Sequence, residues 1–169
     1  ATIRRDFSYF GELGKRGYGY DVNDLMLFFS KTLNDDQMTN VALIGVGNLG
    51  SALLKYKFHQ SNSIRVSAAF DVNPEIVGRI VDGIPVYPMS DMKEQIGIQQ
   101  IDIAILTVPA EHSQDVVNDL VTSGIKGILN FTPARITAPV DVLVQNVDLT
   151  TELQTLIYFL HSGGIAPSE

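Results

Sequence analysis

The stretch Val41-Ala42-Leu43-Ile44-Gly45-Val46-Gly47-Asn48-Leu49-Gly50 constrains this chain more than any other. A short apolar run enters a turn with glycine at positions 45, 47 and 50, and a helical pattern beginning Ser51-Ala52-Leu53-Leu54 leaves it. This is the spacing of a dinucleotide-binding strand, turn and helix. Gly45 permits the tight turn, Gly47 lets a pyrophosphate approach the backbone with no Cβ in the way, and Gly50 lets the helix pack closely on the strand. The pyrophosphate then rests on free N–H groups at the positive end of the helix dipole. An ordinary glycine-rich turn is the alternative, and Asp71 weighs against it. It closes the next apolar strand, Ile64 to Phe70, about twenty residues beyond Gly50, where a carboxylate accepts the ribose hydroxyls of an adenosine. With Val46, Asn48, Leu49 and, beside Asp71, Val72, these residues make up one half of an expected nucleotide site.

The rest of the chain continues the alternation of strand and helix. Pro74 is expected to begin a short helix, Ile84-Pro85-Val86-Tyr87 to form a brief strand, and Ser90 to cap a helix through about Ile96. Ile101 to Val108 reads as an apolar strand halted by Pro109, Glu111 to Ser123 as a helix stopped by Gly124, and Gly127 to Phe131 and Val140 to Val147 as the last strands. Strands that are apolar throughout, separated by helices, imply a parallel sheet covered on both faces. The expected fold is α/β, a Rossmann-type doubly wound parallel sheet in the order 3-2-1-4-5-6. Ligands of such sheets bind outside the carboxyl ends of the strands, at the switch between strands 1 and 4. To that rim the sequence brings Gly45 to Gly50, Asp71, Thr107-Val108-Pro109-Ala110 and Asn130-Phe131-Thr132-Pro133.

Composition sets outer bounds. A chain of 169 residues, 45% of them hydrophobic, fits one α/β domain with short attachments. No run approaches the roughly twenty apolar residues of a membrane span, and Ala1-Thr2-Ile3-Arg4-Arg5 lacks the apolar core of a signal peptide, so a cytoplasmic protein is expected. There is no cysteine, which leaves a bound cofactor as the route for any redox response. The net charge of −7 argues against nucleic-acid binding by the chain as a whole. The charge is uneven, however. Of 12 basic and 19 acidic residues, the first twenty positions hold Arg4, Arg5, Lys15 and Arg16 against Asp6 and Glu12. Only that segment could face DNA.

Residues 1 to 10 look helical, and Gly11, Gly14, Gly17 and Gly19 then break any regular helix around Lys15, Arg16, Tyr18 and Tyr20. The segment reads either as a basic, aromatic loop or β-wing, or as a solvated terminus. Asp21 can cap a helix over Val22 to Leu33 whose broad apolar surface packs on two things at once. At the other end, Leu149 to His161 carries a stripe of Leu149, Leu153, Leu156 and Leu160, with Ile157, Tyr158 and Phe159 on its other sides. A helix apolar nearly all round is buried on more than one face. A two-fold dimer with exchanged helices does this economically, and cover by its own sheet is the alternative.

The expected rim offers backbone groups and apolar walls, not chemistry. A dehydrogenase needs a proton donor or acceptor beside the nicotinamide and a place for substrate, and neither is evident. His59 and His161 fall away from the rim, His112 reads as a solvated first-turn residue, and no His, Asp and Glu group has metal-ligand spacing. The site is therefore expected to bind a cofactor without using it, and the chain not to be an enzyme. An apolar pocket without an anion penalises the cationic oxidised ring, so NADH is favoured over NAD⁺. Asp71 also repels a 2′-phosphate, Arg79 being the one nearby cation that could oppose this.

Together the residues resemble the Rex family of redox-sensing transcriptional repressors, over essentially the whole chain. The resemblance rests on Ile3 to Gly11, on Gly14-Lys15-Arg16-Gly17-Tyr18-Gly19-Tyr20, on Gly45 to Gly50, on Leu106-Thr107-Val108-Pro109, on Gly127 to Pro133 and on Asn146-Val147-Asp148-Leu149. It implies a homodimer with an N-terminal winged-helix domain, a Rossmann domain and a domain-swapped C-terminal helix, leaving operator DNA when NADH binds. On this likeness residues 1–20 are a winged-helix remnant, 21–38 a linker or dimer helix, 39–147 the NAD(H)-binding domain and 148–169 the swapped helix. Arg4 and Arg5 match the recognition helix and Lys15 and Arg16 the wing. Tyr56 and Asp148 match residues that couple the nicotinamide pocket to the dimer arrangement, and Leu149 an apolar residue that enters the partner's pocket. Most of a winged helix would precede Ala1, so the chain is expected to be a fragment that senses and dimerises without proper DNA binding. The rival reading is an NAD- or CoA-binding Rossmann subunit of a metabolic enzyme. A plain dimerisation module with a vestigial nucleotide site is a third.

Overall fold

The longest apolar runs become the central strands of one seven-stranded sheet, in a computed structural model that describes residues 38–56, 58 and 63–163. β1 (Thr39–Ile44) leads into α1 (Asn48–Lys55), and β2 (Ile64–Asp71) follows. A hairpin of β3 (Ile80–Val81) and β4 (Ile84–Pro88) runs through a 3-10 turn, Met89–Asp91, into α2 (Met92–Ile98). Then come β5 (Ile101–Leu106), α3 (Ala110–Thr122), β6 (Gly127–Asn130), β7 (Leu143–Asn146) and α4 (Leu149–His161). The strand order is β3-β4-β2-β1-β5-β6-β7, parallel throughout except for the β3–β4 pair. Without the two-residue β3 this is the doubly wound order expected from the sequence. The order of strand winding reverses between β1 and β5.

Alternate residues of the central strands feed two separate cores. Ala42 and Ile44, Ala68 and Phe70, and Ala104 and Leu106 face α2 and α3, where Met92, Ile96, Val117 and Leu120 cover them. Val41 and Leu43, Ala69 and Ile105 face the other way, toward Val46 and Leu54 of the first loop and α1. Period-two strands buried on both sides must be apolar at every position, which explains the uninterrupted runs. The second face is covered unevenly. Beyond β1 it retains partly buried Ile103, Leu129 and Phe131, and the helices after β4 and β5 pack on the opposite face.

Several local expectations need correction. No helix starts at Pro74: Gly78 N–H donates to the Val86 carbonyl and Val86 N–H to the Arg79 carbonyl, so pairing with β4 takes up a segment too short to propagate a helix. The β3–β4 hairpin was not anticipated, although Asp82 and Gly83, at φ of 52° and 81°, form the two-residue Asp-Gly turn such ribbons favour. Ser90 caps nothing. It lies inside the 3-10 turn, and α2 begins without a side-chain cap. β5 stops at Leu106 and β7 spans Leu143–Asn146, both shorter than expected, while α4 has the expected bounds. The segments 1–20 and 22–33, with Arg4, Arg5, Lys15 and Arg16, lie outside the described residues, as does His59.

Candidate functional site

The loop after β1 is held from three sides. Gly45, at φ of +99°, donates its N–H to the Phe70 carbonyl at 2.9 Å. A Cβ there would lie 2.9 Å from the Thr107 carbonyl carbon and oxygen, so the loop runs directly against the end of β5. At Gly50 a Cβ would overlap the Gly45 carbonyl oxygen, which ties helix α1 to the strand it leaves. Gly47 differs from both. A Cβ there meets nothing within 4 Å. The first two glycine constraints are thus internal to the protein, whereas Gly47 faces open space on the ligand side.

The polar groups fit an ADP-type ligand. The first loop-to-helix bond is Ser51 N–H to the Gly47 carbonyl at 2.8 Å, so the N–H groups of Asn48 and Leu49 open the helix without an earlier carbonyl to reach. There is no acidic residue in that first turn to oppose an anion. Asp71, at the carboxyl end of β2, accepts from Val46 N–H through Oδ2 at 2.6 Å and from Asn73 N–H through Oδ1 at 2.8 Å. Each carboxylate oxygen has a second lone pair, so both can still accept from a diol. The loop and the Asp71 carboxylate are therefore one hydrogen-bonded unit. Val72, 81% exposed, follows it as an open apolar shelf.

The wall at β5 and β6 is built differently from what the sequence suggested. Val108 is half-buried against the core, and Pro109 stands exposed at the start of α3. Phe131 packs into the α1-side core, and Pro133 is exposed. Asn130, expected at the ligand rim, is 1% exposed with its amide fully engaged. Its Oδ1 accepts from Thr132 N–H and Oγ1, and its Nδ2 donates to the Ala134 carbonyl and to Asn146 Oδ1. It shapes the loop Phe131–Ala134 and has no side-chain group left for a ligand. Asn146 is the partner that sequence reading missed. Two asparagines close adjacent strands at paired register positions, and that symmetry was the available signal.

Asp148 caps α4. Its Oδ1 accepts from Thr150 and Thr151 N–H groups and its Oδ2 from Thr151 Oγ1 at 2.8 Å. The bond from the Thr151 hydroxyl, followed by the backbone bonds, holds its carboxyl below the ordinary aspartate value. A folded value below the unfolded one means that the cap's contribution is complete above the ordinary carboxylate range and is lost as pH falls through the lowered value. Comparing helix content of the wild type with Asp148→Ala should show a difference that is constant near neutrality and shrinks below about pH 4. Tyr56 sits far from this cap within one chain. It ends α1 beside Met38 and Ile64, at the amino edge of the sheet, whereas Asp148 follows the carboxyl end of β7. Leu149 is 66% exposed.

His112 is exposed in the first turn of α3 and His161 is exposed at the end of α4. Among the described residues no three His, Cys, Asp or Glu side chains come together as a metal site. No described helix is long and apolar enough to cross a membrane.

Comparison with known proteins agrees with this geometry. Residues 36–134 match the CoA binding domain family, whose ligand shares the ADP portion with a dinucleotide. The redox-sensing transcriptional repressor Rex 1 of Enterococcus faecalis is 80% identical over 161 residues, which cover 95% of this chain and 74% of that protein. This chain belongs to the Rex family. The Rex protein of Ligilactobacillus salivarius is 68% identical over 164 residues, covering 97% of this chain and 77% of the relative. Among solved structures, RSP, a Rex-family repressor, superposes with a TM-score of 0.76 at 35% identity, over 95% of this chain and 75% of RSP. RSP has also been solved with NAD⁺ and operator DNA, with a TM-score of 0.75, 35% identity, and coverage of 95% and 74%. The chain thus spans about three quarters of the length of its Rex relatives.

Replacing Asp71 by alanine should weaken NADH binding by roughly 1–3 kcal/mol, because a charged acceptor is lost to the ribose hydroxyls and Val46 N–H loses its partner. Calorimetric titration measures it, and an unchanged affinity would remove Asp71 from the site.

Proposed function

We propose that this chain is a redox-sensing repressor that responds to the ratio of NADH to NAD⁺, NADH binding releasing it from operator DNA. The observation that carries the reading is the cradle at the β1–β5 switch. There Gly47 is open, the first turn of α1 presents N–H groups, and Asp71 is hydrogen-bonded to the same loop. Membership of the Rex family and the solved complexes of RSP with NADH and with NAD⁺ and operator DNA support it. Bound there, the dinucleotide supplies a nicotinamide ring that is neutral when reduced and cationic when oxidised. Val108, Pro109, Phe131 and Pro133 offer it apolar surface, and Glu111, the nearest acid in sequence, is solvated on α3. Removing a cation from water without a paired anion is unfavourable, so these residues favour the reduced form. With no general acid or base assigned to the rim, the chain acts as a regulator and not a catalyst, in the cytoplasm.

We assign the direct nucleotide contacts to Gly45–Gly50, Asp71, Val72, Val108, Pro109 and the loop Phe131–Pro133. DNA contact falls to Arg4, Arg5, Lys15 and Arg16 in segment 1–20. The active form is a homodimer in which helix α4 of each protomer crosses to the other. None of the α4 residues is buried in one chain, and six large apolar side chains on it are between 52% and 75% exposed. The sheet face around the partly buried Ile103, Leu129 and Phe131 gives a second copy a surface to cover. In that arrangement Asp148 and Leu149 of one protomer approach Tyr56 and the nicotinamide site of its partner. This also resolves the separation of Tyr56 from Asp148 within a single chain. A ligand shifts such a dimer by its differential affinity for the two arrangements.

The CoA binding domain match favours one second reading, a CoA-binding subunit. The ribose of CoA carries a 3′-phosphate, which Asp71 would repel. Titration of NADH, NAD⁺ and CoA decides between them. The sensor reading expects NADH to bind at least about tenfold tighter than NAD⁺, with CoA weakest. CoA binding as tight as NADH, with no preference between the two redox forms, would overturn it.

A further inference from the structure

The peptide unit joining Gly45 to Val46 is pinned at both ends by neighbouring strands. Its N–H, on Val46, donates to Asp71 Oδ2 at 2.6 Å, from the end of β2. Its carbonyl, on Gly45, accepts from Thr107 Oγ1 at 2.6 Å, from the end of β5. The same hydroxyl is 3.0 Å from the Ile44 carbonyl, and the Thr107 N–H donates to that carbonyl at 2.9 Å. Oγ1 also lies 3.0 Å from the position of a Cβ on Gly50, so β5, the loop and the start of α1 meet at this atom. The sequence alone puts Thr107 at the ligand rim. Its one hydroxyl proton is already committed to the loop.

We propose that Thr107 is a positioning residue for pyrophosphate binding, acting through the orientation of the Gly45–Val46 peptide and not by contact with the nicotinamide. The proposal rests on the reading of Gly45–Gly50 as a dinucleotide site. The Gly45 carbonyl points toward Thr107 and the start of α1. Without the latch, rotation of that peptide brings a carbonyl oxygen toward the anion and carries the start of α1 with it. A pyrophosphate is penalised by both changes. The nicotinamide's oxidation state does not enter. Asp71 cannot substitute for the latch, since it holds the other end of the peptide and also serves the ribose.

The test is calorimetric titration of the full chain with NADH, NAD⁺ and ADP-ribose, which has the pyrophosphate but no nicotinamide. Thr107→Val keeps the side-chain shape and removes the donor, and Thr107→Ser restores it. The valine variant should weaken all three ligands alike, by about tenfold, with the ratio of NADH to NAD⁺ affinity unchanged and the serine variant close to wild type. Thr107→Ala, which sets no methyl against the Gly45 carbonyl, is read in the same way should the valine variant not fold. Unaltered ADP-ribose affinity with a changed NADH to NAD⁺ ratio would make Thr107 a nicotinamide contact and overturn the proposal. Unaltered affinity for all three, with a lower melting temperature, would reduce Thr107 to a structural role and overturn it too. Failure of the wild-type chain to bind any of the three would remove the dinucleotide site itself, a result separable from every variant outcome.

Discussion

Gly47→Val leaves the chain folded and abolishes dinucleotide binding, whereas Gly50→Val damages the fold itself. The two glycines are three residues apart in one motif, yet their surroundings differ completely. Around Gly47 a new Cβ meets no protein atom within 4 Å, so a valine is accommodated by the free chain. Its branches occupy the space in front of the first turn of α1, where a pyrophosphate must come to reach the N–H groups. A loss of at least about 3 kcal/mol, more than a hundredfold in affinity, is expected by titration. The melting temperature should stay near that of the wild type. At Gly50 the Cβ would overlap the Gly45 carbonyl oxygen, a backbone atom that Thr107 also holds in place. The overlapping atom is backbone and not the end of a flexible side chain, so α1 has to move off the sheet. A destabilisation of about 3 kcal/mol or more follows, visible in thermal melting with or without ligand. Wild-type NADH affinity in the Gly47 variant would sink the fingerprint reading.

If the proposed homodimer forms by exchange of α4, Leu153→Asp combined with Leu156→Asp should separate it into monomers. Both leucines lie on the stripe that also holds Leu149 and Leu160, and both are at least 60% exposed in the single chain. Burying a leucine contributes about 2 kcal/mol, and two-fold symmetry counts each position twice. Placing carboxylates there replaces that gain by the cost of desolvating a charge, so the dimer dissociation constant should rise by more than about a thousandfold. Light scattering behind size exclusion reads the mass directly. The helix itself should persist, because its Asp148 cap is local and untouched. A variant that stays dimeric would place α4 outside the interface and with it the crossing of Leu149 into the partner's pocket. ADP-ribose binding should survive dissociation, since Gly47, Asp71 and Thr107 all come from one chain.

Much of this molecule is legible in its sequence, and the reasons are local. Apolar runs such as Val41–Ile44 and Ile103–Leu106 are continuous because both sheet faces are covered, and this forces parallel pairing and the doubly wound order. The span of α4 was legible because its pattern of large apolar residues begins at Leu149 and ends at His161. The tight turn at Gly45 and the close helix packing at Gly50 were legible because turn geometry needs glycine at those places. The errors were local too. Pro74 resembles a helix start, but the chain pairs with β4 from Gly78 onward, which leaves a helix no room. Asp82-Gly83 is a hairpin signal that went unread.

What only the tertiary structure decided is which polar side chains remain free. Thr107, Asn130 and Asp71 look alike in sequence, each a polar residue at or just past the carboxyl end of a strand. In the fold, Thr107 spends its proton on a carbonyl 62 positions away, Asn130 is saturated by Thr132, Ala134 and Asn146, and Asp71 keeps lone pairs to spare after meeting Val46. Periodicity and turn chemistry act over a few residues and can be read along the chain. The partner of a side chain at a strand end is set by sheet register and by which loops meet above it, so its availability to a ligand is a property of the assembled sheet.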